Sequence, residues 1–206
     1  DKLILSPGAA PVRPPLEGID TEGIFTLRNV NDTDRVKEYI EEHDVKRALI
    51  VGAGFIGLEM AENLHEYGIQ VSVVEMADQV MTPVDYEIAT AVHQHFKSKG
   101  VGLHLQEAVT AFRSVEDGID VVLKSGLVLQ VDMVVLSIGV RPDVKLAREA
   151  GVEIGEMGGI KVNEFLQTSQ PDIYAVGDAI EFPNPVSGRP ALAFLAGPAN
   201  KQGRIC

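Results

Sequence analysis

The chain lacks several features that define large classes of proteins. Among its 206 residues is a single cysteine, Cys206, which excludes an internal disulfide framework and fits a reducing compartment such as the cytoplasm. The longest apolar stretches, such as Val131 to Val140, have about half the length of a membrane helix and contain Asp132 and Ser137. We therefore expect no membrane-spanning segment.

An excess of basic residues is also absent. The chain has 18 Lys and Arg against 30 Asp and Glu, a formal net charge of -12, which repels phosphate backbones and anionic lipid. We therefore expect neither nucleic acid nor a membrane as a partner. His93 and His95, the only close pair of histidines, would face different sides of a helix and cannot share a metal. No nucleophile elbow, Walker A lysine or His-Glu-x-x-His motif is present.

The middle of the chain alternates strand and helix patterns. Strands alternating with helices indicate right-handed βαβ units and a parallel sheet, so the predicted fold class is α/β and Rossmann-like. Four short strands with Gly-containing turns then predict an antiparallel β-meander. The predicted elements are helix 32–43 (with Asn31 or Asp32 as N-cap), strand 47–51, helix 56–67, strand 70–75, helix 85–99, meander strands 101–105, 108–114, 119–124 and 127–131, and the buried strand 133–137.

The two ends of the chain differ in composition from the middle. Residues 1–28 are rich in proline, which disfavours helix and predicts an extended crossover between domains. Residues 143–206 contain short elements that we expect to lack an independent core. We therefore divide the chain into 1–28, 29–142 and 143–206. Asp1 opens inside a predicted strand without an initiator Met, so we expect it to be an internal end.

Residues 49–59 read LIVGAGFIGLE and place G-x-G-x-x-G between a predicted buried strand and an amphipathic helix. In this motif Gly52 permits the tight turn, Gly54 lets the backbone approach a pyrophosphate, and Gly57 allows close packing of helix on strand. Phe55 and Ile56 open the helix, whose N–H groups and dipole attract phosphates. The pattern predicts a dinucleotide site; the alternative is that the glycines only form a sharp turn.

Glu75 lies eighteen residues beyond Gly57, at the end of the next predicted strand. A carboxylate there accepts hydrogen bonds from the adenine ribose 2′-OH and repels a 2′-phosphate. The flanking Met76, Ala77 and Asp78 supply no cation. NADH is therefore predicted in preference to NADPH. Two alternatives stay open: a basic residue from a distant loop, or Glu75 as a solvated strand end.

Four segments together resemble the FAD-dependent pyridine nucleotide-disulfide oxidoreductases. Residues 51–59 match their NAD(P)H-binding motif, and residues 168–179, TSQPDIYAVGDA, resemble their second FAD motif. Residues 1–9, DKLILSPGA, resemble the segment that leaves the FAD domain, with Ser-Pro in place of Ala-Thr, a variant of the NADH oxidase and coenzyme A-disulfide reductase branch. Residues 195–204, LAGPANKQGR, are similar to coenzyme A-disulfide or persulfide reductases.

The resemblance implies that the NAD(P)H-binding domain is inserted between two segments of an FAD-binding domain. Pro7, Gly8 and Gly177 would then lie at FAD, and Asp178 would bond the ribityl chain of the flavin. Asn200 would approach the flavin ring; the alternative is a polar residue at a helix N-terminus.

Two further positions are assigned to the nicotinamide end. Gly139, in the segment SIGVRP at residues 137–142, resembles the crossover whose backbone lies near the nicotinamide nucleotide. Glu59 matches an acidic position near the nicotinamide in relatives, although it could equally be a first-turn Glu favoured by the helix dipole.

The resemblance also implies hydride transfer from NADH to FAD and onward to a disulfide, persulfide, or peroxide or oxygen acceptor, in a homodimeric full-length protein. FAD is expected only in that full-length protein, because the redox cysteine and the motif for the adenosine of FAD would precede Asp1. Cys206 is interpreted as a free terminal thiol. Two alternatives stay open: a non-catalytic NADH-binding module, and a cysteine-independent electron transferase of the ferredoxin-reductase type.

Overall fold

A computed structural model describes residues 1–206 and divides them into two compact units. One unit, called here the central unit, is Pro11–Gly139, and the other, the flanking unit, combines Asp1–Ala10 with Val140–Cys206. These divisions fall earlier than the predicted ones after residues 28 and 142. The assignment of the segments to cofactor domains is therefore kept for the proposal below.

Both units are built from strands and short helices. The strands are β1 (Leu3–Leu5), β2 (Ala9–Pro11), β3 (Ile24–Thr26), β4 (Arg47–Val51), β5 (Gln70–Glu75), β6 (Gly102–Leu105), β7 (Val109–Val115), β8 (Gly118–Leu123), β9 (Val128–Val131), β10 (Met133–Leu136), β11 (Val140–Pro142), β12 (Ile160–Lys161), β13 (Ile173–Ala175), β14 (Ile180–Pro183) and β15 (Pro190–Ala191). The α-helices are α1 (Val30–Glu42), α2 (Phe55–Glu66), α3 (Tyr86–Lys99), α4 (Lys145–Glu149) and α5 (Ala196–Ile205), and Gly177–Ala179 forms a 3-10 turn.

The core of the central unit is a five-stranded parallel sheet in the order β3-β10-β4-β5-β6. Its inner strands are apolar on both faces, as is typical of parallel sheets that are covered on both sides. On one face Ile50 and Val73 pack against α2 and α3, and on the other Leu49 and Val74 pack against the meander β7-β8-β9. The predicted parallel sheet and antiparallel meander are both confirmed.

One strand of the predicted meander belongs instead to the parallel sheet. β6 pairs with β5, with Ser72 opposite Gly102, and the meander has three strands rather than four. The chain leaves the sheet only at Gln106, whose φ of 57° turns the backbone and whose N–H donates to Ala77 O at 2.9 Å. The residues that join β6 to β7 contain no Gly or Pro that would mark the turn in the sequence. The prediction of residues 101–105 as a meander strand was therefore wrong.

Helix α1 begins two residues earlier than predicted, and its N-cap is Asn29. The Asn29 side chain accepts from Asp32 N at 3.0 Å, and the Asp32 carboxylate accepts from Asn29 N at 3.2 Å. This reciprocal pair is a capping box with Asp at the third helical position. Asn31 and Asp32 are therefore inside the helix, and their prediction as N-cap was wrong.

Asp132, between β9 and β10, joins these strands to β4. One of its oxygens accepts from the amides of Lys46 and Arg47 at 2.9 and 2.8 Å, and the other from Arg47 Nε and Nη2 at 3.2 and 2.6 Å. Burial alone would raise the pKa of Asp132, but the hydrogen bonds from the Arg47 side chain and the two amides outweigh burial and hold the pKa below its usual value. The ionised carboxylate of Asp132 therefore stabilises the junction of these three strands.

We expect the free energy of unfolding to decrease as the pH falls below about 4, where Asp132 has its unfolded-state pKa. A depressed pKa in the folded state means that the stabilisation is present above the unfolded-state pKa and lost as the pH falls through the folded-state value. Asp132→Asn should lose about 1–2 kcal/mol at pH 7 and show a weaker decrease in acid. Urea denaturation at several pH values, with the exposed Asp78→Asn as control, measures both effects. Equal acid dependence in the two variants would contradict this role.

The flanking unit has a small core of its own, although its elements are short. β1 pairs in parallel with β13, β11 pairs with β2, and β12, β14 and β15 form a third sheet. Leu5 is buried with Ala147, Ile160 and Ile180 in one apolar cluster. Residues 143–206 were expected to lack an independent core; the structure shows that they share one with the start of the chain.

No helix in the structure combines the length and the apolar character needed to cross a bilayer. The longest, α3, has 14 residues. Cys206 is a free, exposed thiol that directly follows α5.

Candidate functional site

The strand order of the central unit reverses between β4 and β10. From β4 the chain proceeds through α2 to β5 and through α3 to β6, all on one side, whereas β10 lies on the other side of β4. In open α/β sheets a ligand binds where the strand order reverses in this way. The residues of the G-x-G-x-x-G motif, which follow β4, lie at this point.

Two glycines of the motif are required by close contacts within the chain. Gly52 has φ 100°, and a Cβ there would lie 2.5 Å from Ser137 O, directly after β10. A Cβ on Gly57 would overlap the Gly52 carbonyl oxygen and lie 2.6 Å from Ser137 Oγ. The structure therefore places Gly52 at a tight turn and Gly57 where α2 meets the strand end, as the motif implies.

Ser137 holds these parts together, and the sequence reasoning did not single out its side chain. Its Oγ lies 2.9 Å from Val51 O and 2.8 Å from Gly52 O and donates to this pair of carbonyls. The hydroxyl thus links the end of β10 to the turn after β4. Its position directly after a buried apolar strand was the available signal.

Gly54 and the first turn of α2 are open to solvent. Gly54 is the N-cap of α2 with φ -79°, and a Cβ there would meet no atom within 4 Å. No side chain caps the helix, and Phe55 and Ile56 are exposed. The N–H groups of a first helical turn have no partner inside the helix, so an anion can bind there. This is the region that the sequence assigns to the pyrophosphate.

The Glu75 carboxylate is fixed by two backbone amides at the end of β5. Oε2 accepts from Ala53 N at 2.7 Å, and Oε1 accepts from Ala77 N at 2.9 Å. Each carboxylate oxygen can accept a second hydrogen bond, so both remain able to bind a hydroxyl group. Met76, next to Glu75, has 76% of its surface exposed and leaves the approach open.

Glu59 lies further along α2 than the helix-dipole interpretation requires. The helix begins at Phe55, its first turn contains no acidic residue, and Glu59 is exposed in the second turn. The interpretation as a first-turn Glu was therefore wrong. Glu59 and Phe55 line one end of a groove of about 510 Å³ between α2 and α3.

Gly139 follows β10 at the same edge of the sheet, with φ 105° and no atom within 4 Å of a Cβ built on it. Its carbonyl accepts from Val12 N at 2.9 Å, and Gly139 itself is exposed. Gly52, Gly57, Glu75 and Gly139 therefore all lie at the carboxyl edge of the sheet.

In the flanking unit, strand pairing brings together the residues that the resemblance assigns to FAD. β1 and β13 are parallel neighbours, so Pro7 and Gly8 after β1 lie at the same edge as Gly177 and Asp178 after β13. Gly8 and Gly177 have φ of 77° and 78°. The half-buried Asp178 side chain has no hydrogen bond within the chain.

Helix α5 contacts this edge through Gln202 rather than through Asn200. Gln202 Oε1 accepts from Gly177 N at 2.9 Å. Asn200 is exposed and lies in the second turn of α5, which begins at Ala196, so it is not at the helix N-terminus. The alternative interpretation of Asn200 was therefore wrong, and Gln202 is a residue that sequence reasoning missed.

The switch point in the strand order, the uncapped helix after a glycine turn and the strand-end carboxylate define a dinucleotide-binding α/β protein. The chain belongs to the pyridine nucleotide-disulphide oxidoreductase family, whose sequence model matches residues 1–198.

Among curated relatives, the chain is 40% identical over its full length to an NADH oxidase of Methanocaldococcus jannaschii, of which it covers 46%. It is 37% identical over 87% of its length to a coenzyme A disulfide reductase of Staphylococcus haemolyticus, of which it covers 39%. The chain therefore spans less than half the length of these relatives.

Two solved structures are similar over the whole chain. The reduced CoADR-RHD of Bacillus anthracis is 52% identical with a TM-score of 0.95, and the chain covers 37% of it. An engineered NADPH oxidase, made from the water-forming NADH oxidase of Lactobacillus brevis and bound to NADPH, is 28% identical with a TM-score of 0.92, and the chain covers 45% of it. Its five substitutions include Gly to Ala and, eighteen residues later, Asp to Ala followed by Ala to Arg.

Proposed function

We propose that the chain is the NADH-binding portion of a flavoprotein oxidoreductase that passes hydride from NADH to FAD and on to a disulfide, persulfide, or peroxide or oxygen acceptor. The observation that carries the proposal is the fixed carboxylate of Glu75, held by Ala53 N and Ala77 N beside an uncapped helix N-terminus. This combination fits an adenine ribose and a pyrophosphate a few ångströms apart.

Each part of the central unit has a distinct task in binding NADH. Gly54 and the first-turn N–H groups of Phe55 and Ile56 receive the pyrophosphate, since no side chain occupies that space. Glu75 accepts the ribose hydroxyls. Gly139 presents open backbone, and Glu59 an exposed carboxylate, to the nicotinamide end.

Selectivity for NADH over NADPH follows from the charge of Glu75. A 2′-phosphate would meet this carboxylate, and Met76, Ala77 and Asp78 offer no positive charge to offset the repulsion. The NADPH-bound engineered oxidase supports this assignment, because its Gly-to-Ala and Asp-to-Ala changes have the spacing of Gly57 and Glu75. The Arg next to its altered acidic position corresponds to Met76 by the same spacing.

The flanking unit fits part of an FAD site. Gly8 and Gly177 leave room for a cofactor, since a Cβ on Gly8 would meet nothing within 4 Å and one on Gly177 only atoms at 3.8 Å. The carboxylate of Asp178 is free to accept hydrogen bonds from the hydroxyls of a ribityl chain. Pro7 and Asn200 complete the proposed set. The flavin, when bound, accepts hydride and passes on electrons one or two at a time.

The acceptor is proposed to be a small thiol, disulfide or persulfide, in line with the coenzyme A disulfide reductase relative, or oxygen or peroxide, in line with the NADH oxidase relative. We further propose that the complete protein is a homodimer and works in the reducing cytoplasm. Light scattering of the complete protein measures its oligomeric state directly.

Isothermal titration of NADH and NADPH into the purified protein tests the proposal. We expect NADH to bind at least about tenfold more tightly, a difference of about 1.4 kcal/mol. Equal affinities would contradict the role of Glu75, and absence of binding by either coenzyme would contradict the nucleotide site itself.

The flavin absorption spectrum separates this function from its alternatives. Protein that retains FAD supports the oxidoreductase, whereas colourless protein that binds NADH supports a non-catalytic binding module. Reduction of a one-electron protein acceptor without a redox cysteine would instead favour an electron transferase of the ferredoxin-reductase type.

A further inference from the structure

The loop between β5 and α3, residues 76–85, is fastened to the glycine turn by a backbone contact. Met81 N donates to Ala53 O at 2.9 Å, while Ala53 N donates to Glu75 Oε2. Both backbone groups of Ala53 are therefore hydrogen-bonded: its N–H to the Glu75 carboxylate and its carbonyl to the loop. The position of the loop therefore affects both the glycine turn and the partner of Glu75.

Met81 makes this contact from an unfavourable backbone conformation. Its φ is 49°, in the left-handed region that residues with a Cβ rarely adopt. Such a conformation persists only where the surroundings hold it. The residue before Met81, Val80, anchors this conformation, because its side chain is fully buried in the core that packs against the sheet.

Polar support within the loop comes from Gln79 Nε2, which donates to Val84 O at 2.8 Å, and from Val84 N, which donates to Met81 O at 2.9 Å; helix α3 adds one more contact. The amide of Val80, the residue directly before Met81, donates at 3.2 Å to Nε2 of His93, which lies in the middle of α3. A backbone N–H can only donate, so Nε2 of His93 is the acceptor in this contact. The His93 ring is half-buried and packs edge-on against Tyr86, with ring centroids 6.2 Å apart.

We propose that His93 is a positioning residue for NADH, which fixes Val80 and Met81 and through them the Ala53 contact shared by Glu75 and the glycine turn. The inference rests on the proposed NADH site. It assigns to this histidine a task that neither the glycine motif nor the ribose carboxylate performs. Without an acceptor at His93, Val80 N–H would be left unpaired and Met81 would be free to relax away from Ala53 O.

The test compares variants that keep or remove the acceptor atom. His93→Phe keeps a ring but offers no acceptor to Val80, whereas the side-chain oxygen of His93→Gln lies near the position of Nε2. His95→Phe is the matched control, because His95 is exposed on the same helix and lines the groove instead. Titration with NADH gives Kd for each protein, and thermal melting gives its stability.

We expect His93→Phe to raise the Kd for NADH about tenfold, His93→Gln to stay within threefold of the wild type, and His95→Phe to match it. If His93→Phe does not fold, His93→Asn replaces it, since the shorter amide does not reach Val80. Wild-type affinity in the variant without the acceptor, or equal losses in His93→Gln and His93→Phe, would overturn the proposal.

Hydrogen exchange at the Val80 amide separates this inference from the proposed function. The exchange should be at least tenfold faster in His93→Phe than in the wild type or His93→Gln, with no coenzyme present. Failure of the wild type to bind NADH would overturn the proposed function, whereas an unchanged Val80 exchange rate would overturn the role of His93 alone.

Discussion

Replacement of Glu75 by Ala together with Met76 by Arg should invert the coenzyme preference, so that NADPH binds more tightly than NADH. The change removes the carboxylate that we propose accepts the ribose hydroxyls and places a guanidinium where a 2′-phosphate would lie. Met76 is exposed, so the longer side chain has room. The ratio of the two affinities should change by at least about a hundredfold, or about 2.7 kcal/mol.

Titration of both coenzymes into the double variant and the two single variants measures this ratio. Glu75→Ala alone should weaken NADH binding by more than tenfold, because Ala53 N and Ala77 N also lose their acceptor. Asp78→Ala removes an exposed carboxylate from the same loop and should change neither affinity. An unchanged NADH preference in the double variant would mean that Glu75 does not contact the ribose.

Gly54→Ala should abolish most NADH binding while leaving the protein folded. A methyl group at this position meets no atom of the chain, and φ -79° is allowed for alanine. It would, however, occupy the space where we propose that the pyrophosphate approaches the backbone. We expect a loss of at least about tenfold in NADH affinity and a melting temperature within a few degrees of the wild type.

Gly52→Ala is the contrasting variant, because it should reduce both stability and binding. Its Cβ would lie 2.5 Å from Ser137 O, on a backbone with φ 100°. We expect a loss of more than about 2 kcal/mol in the free energy of unfolding. Calorimetry and NADH titration on both variants separate the effects. If Gly54→Ala destabilises the protein as much as Gly52→Ala, the glycines form a structural turn and not a ligand site.

The sequence predicted the central sheet and the glycine motif well because both depend on short-range constraints. Buried strands such as β4 and β10 are continuous apolar runs, and the motif fixes the backbone within a few residues of Gly52. Glu75 was predicted from its distance to the motif, which reflects the length of one helix and one strand. The roles of these residues as ligands remain predictions.

The sequence could not predict features that depend on contacts between distant residues. Nothing near His93 indicates that its ring meets Val80 N, since the contact requires the loop to fold back on α3. The same holds for Gln202 at Gly177 N, 25 residues apart. β6 was misplaced because its residues alternate as those of the meander do, and only the turn at Gln106 separates them.

The hydrogen bond from Val12 N to Gly139 O has a consequence for the order of folding. β1 and β13 are separated by roughly 170 residues of chain, and closing so long a loop costs conformational entropy. Once the central unit has folded, residues 12 and 139 are joined, and the free chain between β1 and β13 shortens to roughly 40 residues. Two halvings of loop length recover about 1.2 kcal/mol. Folding of the central unit therefore brings β1 and β13 closer along the chain, and the pairing of these two strands is expected to form last, after most of the chain has left the ribosome.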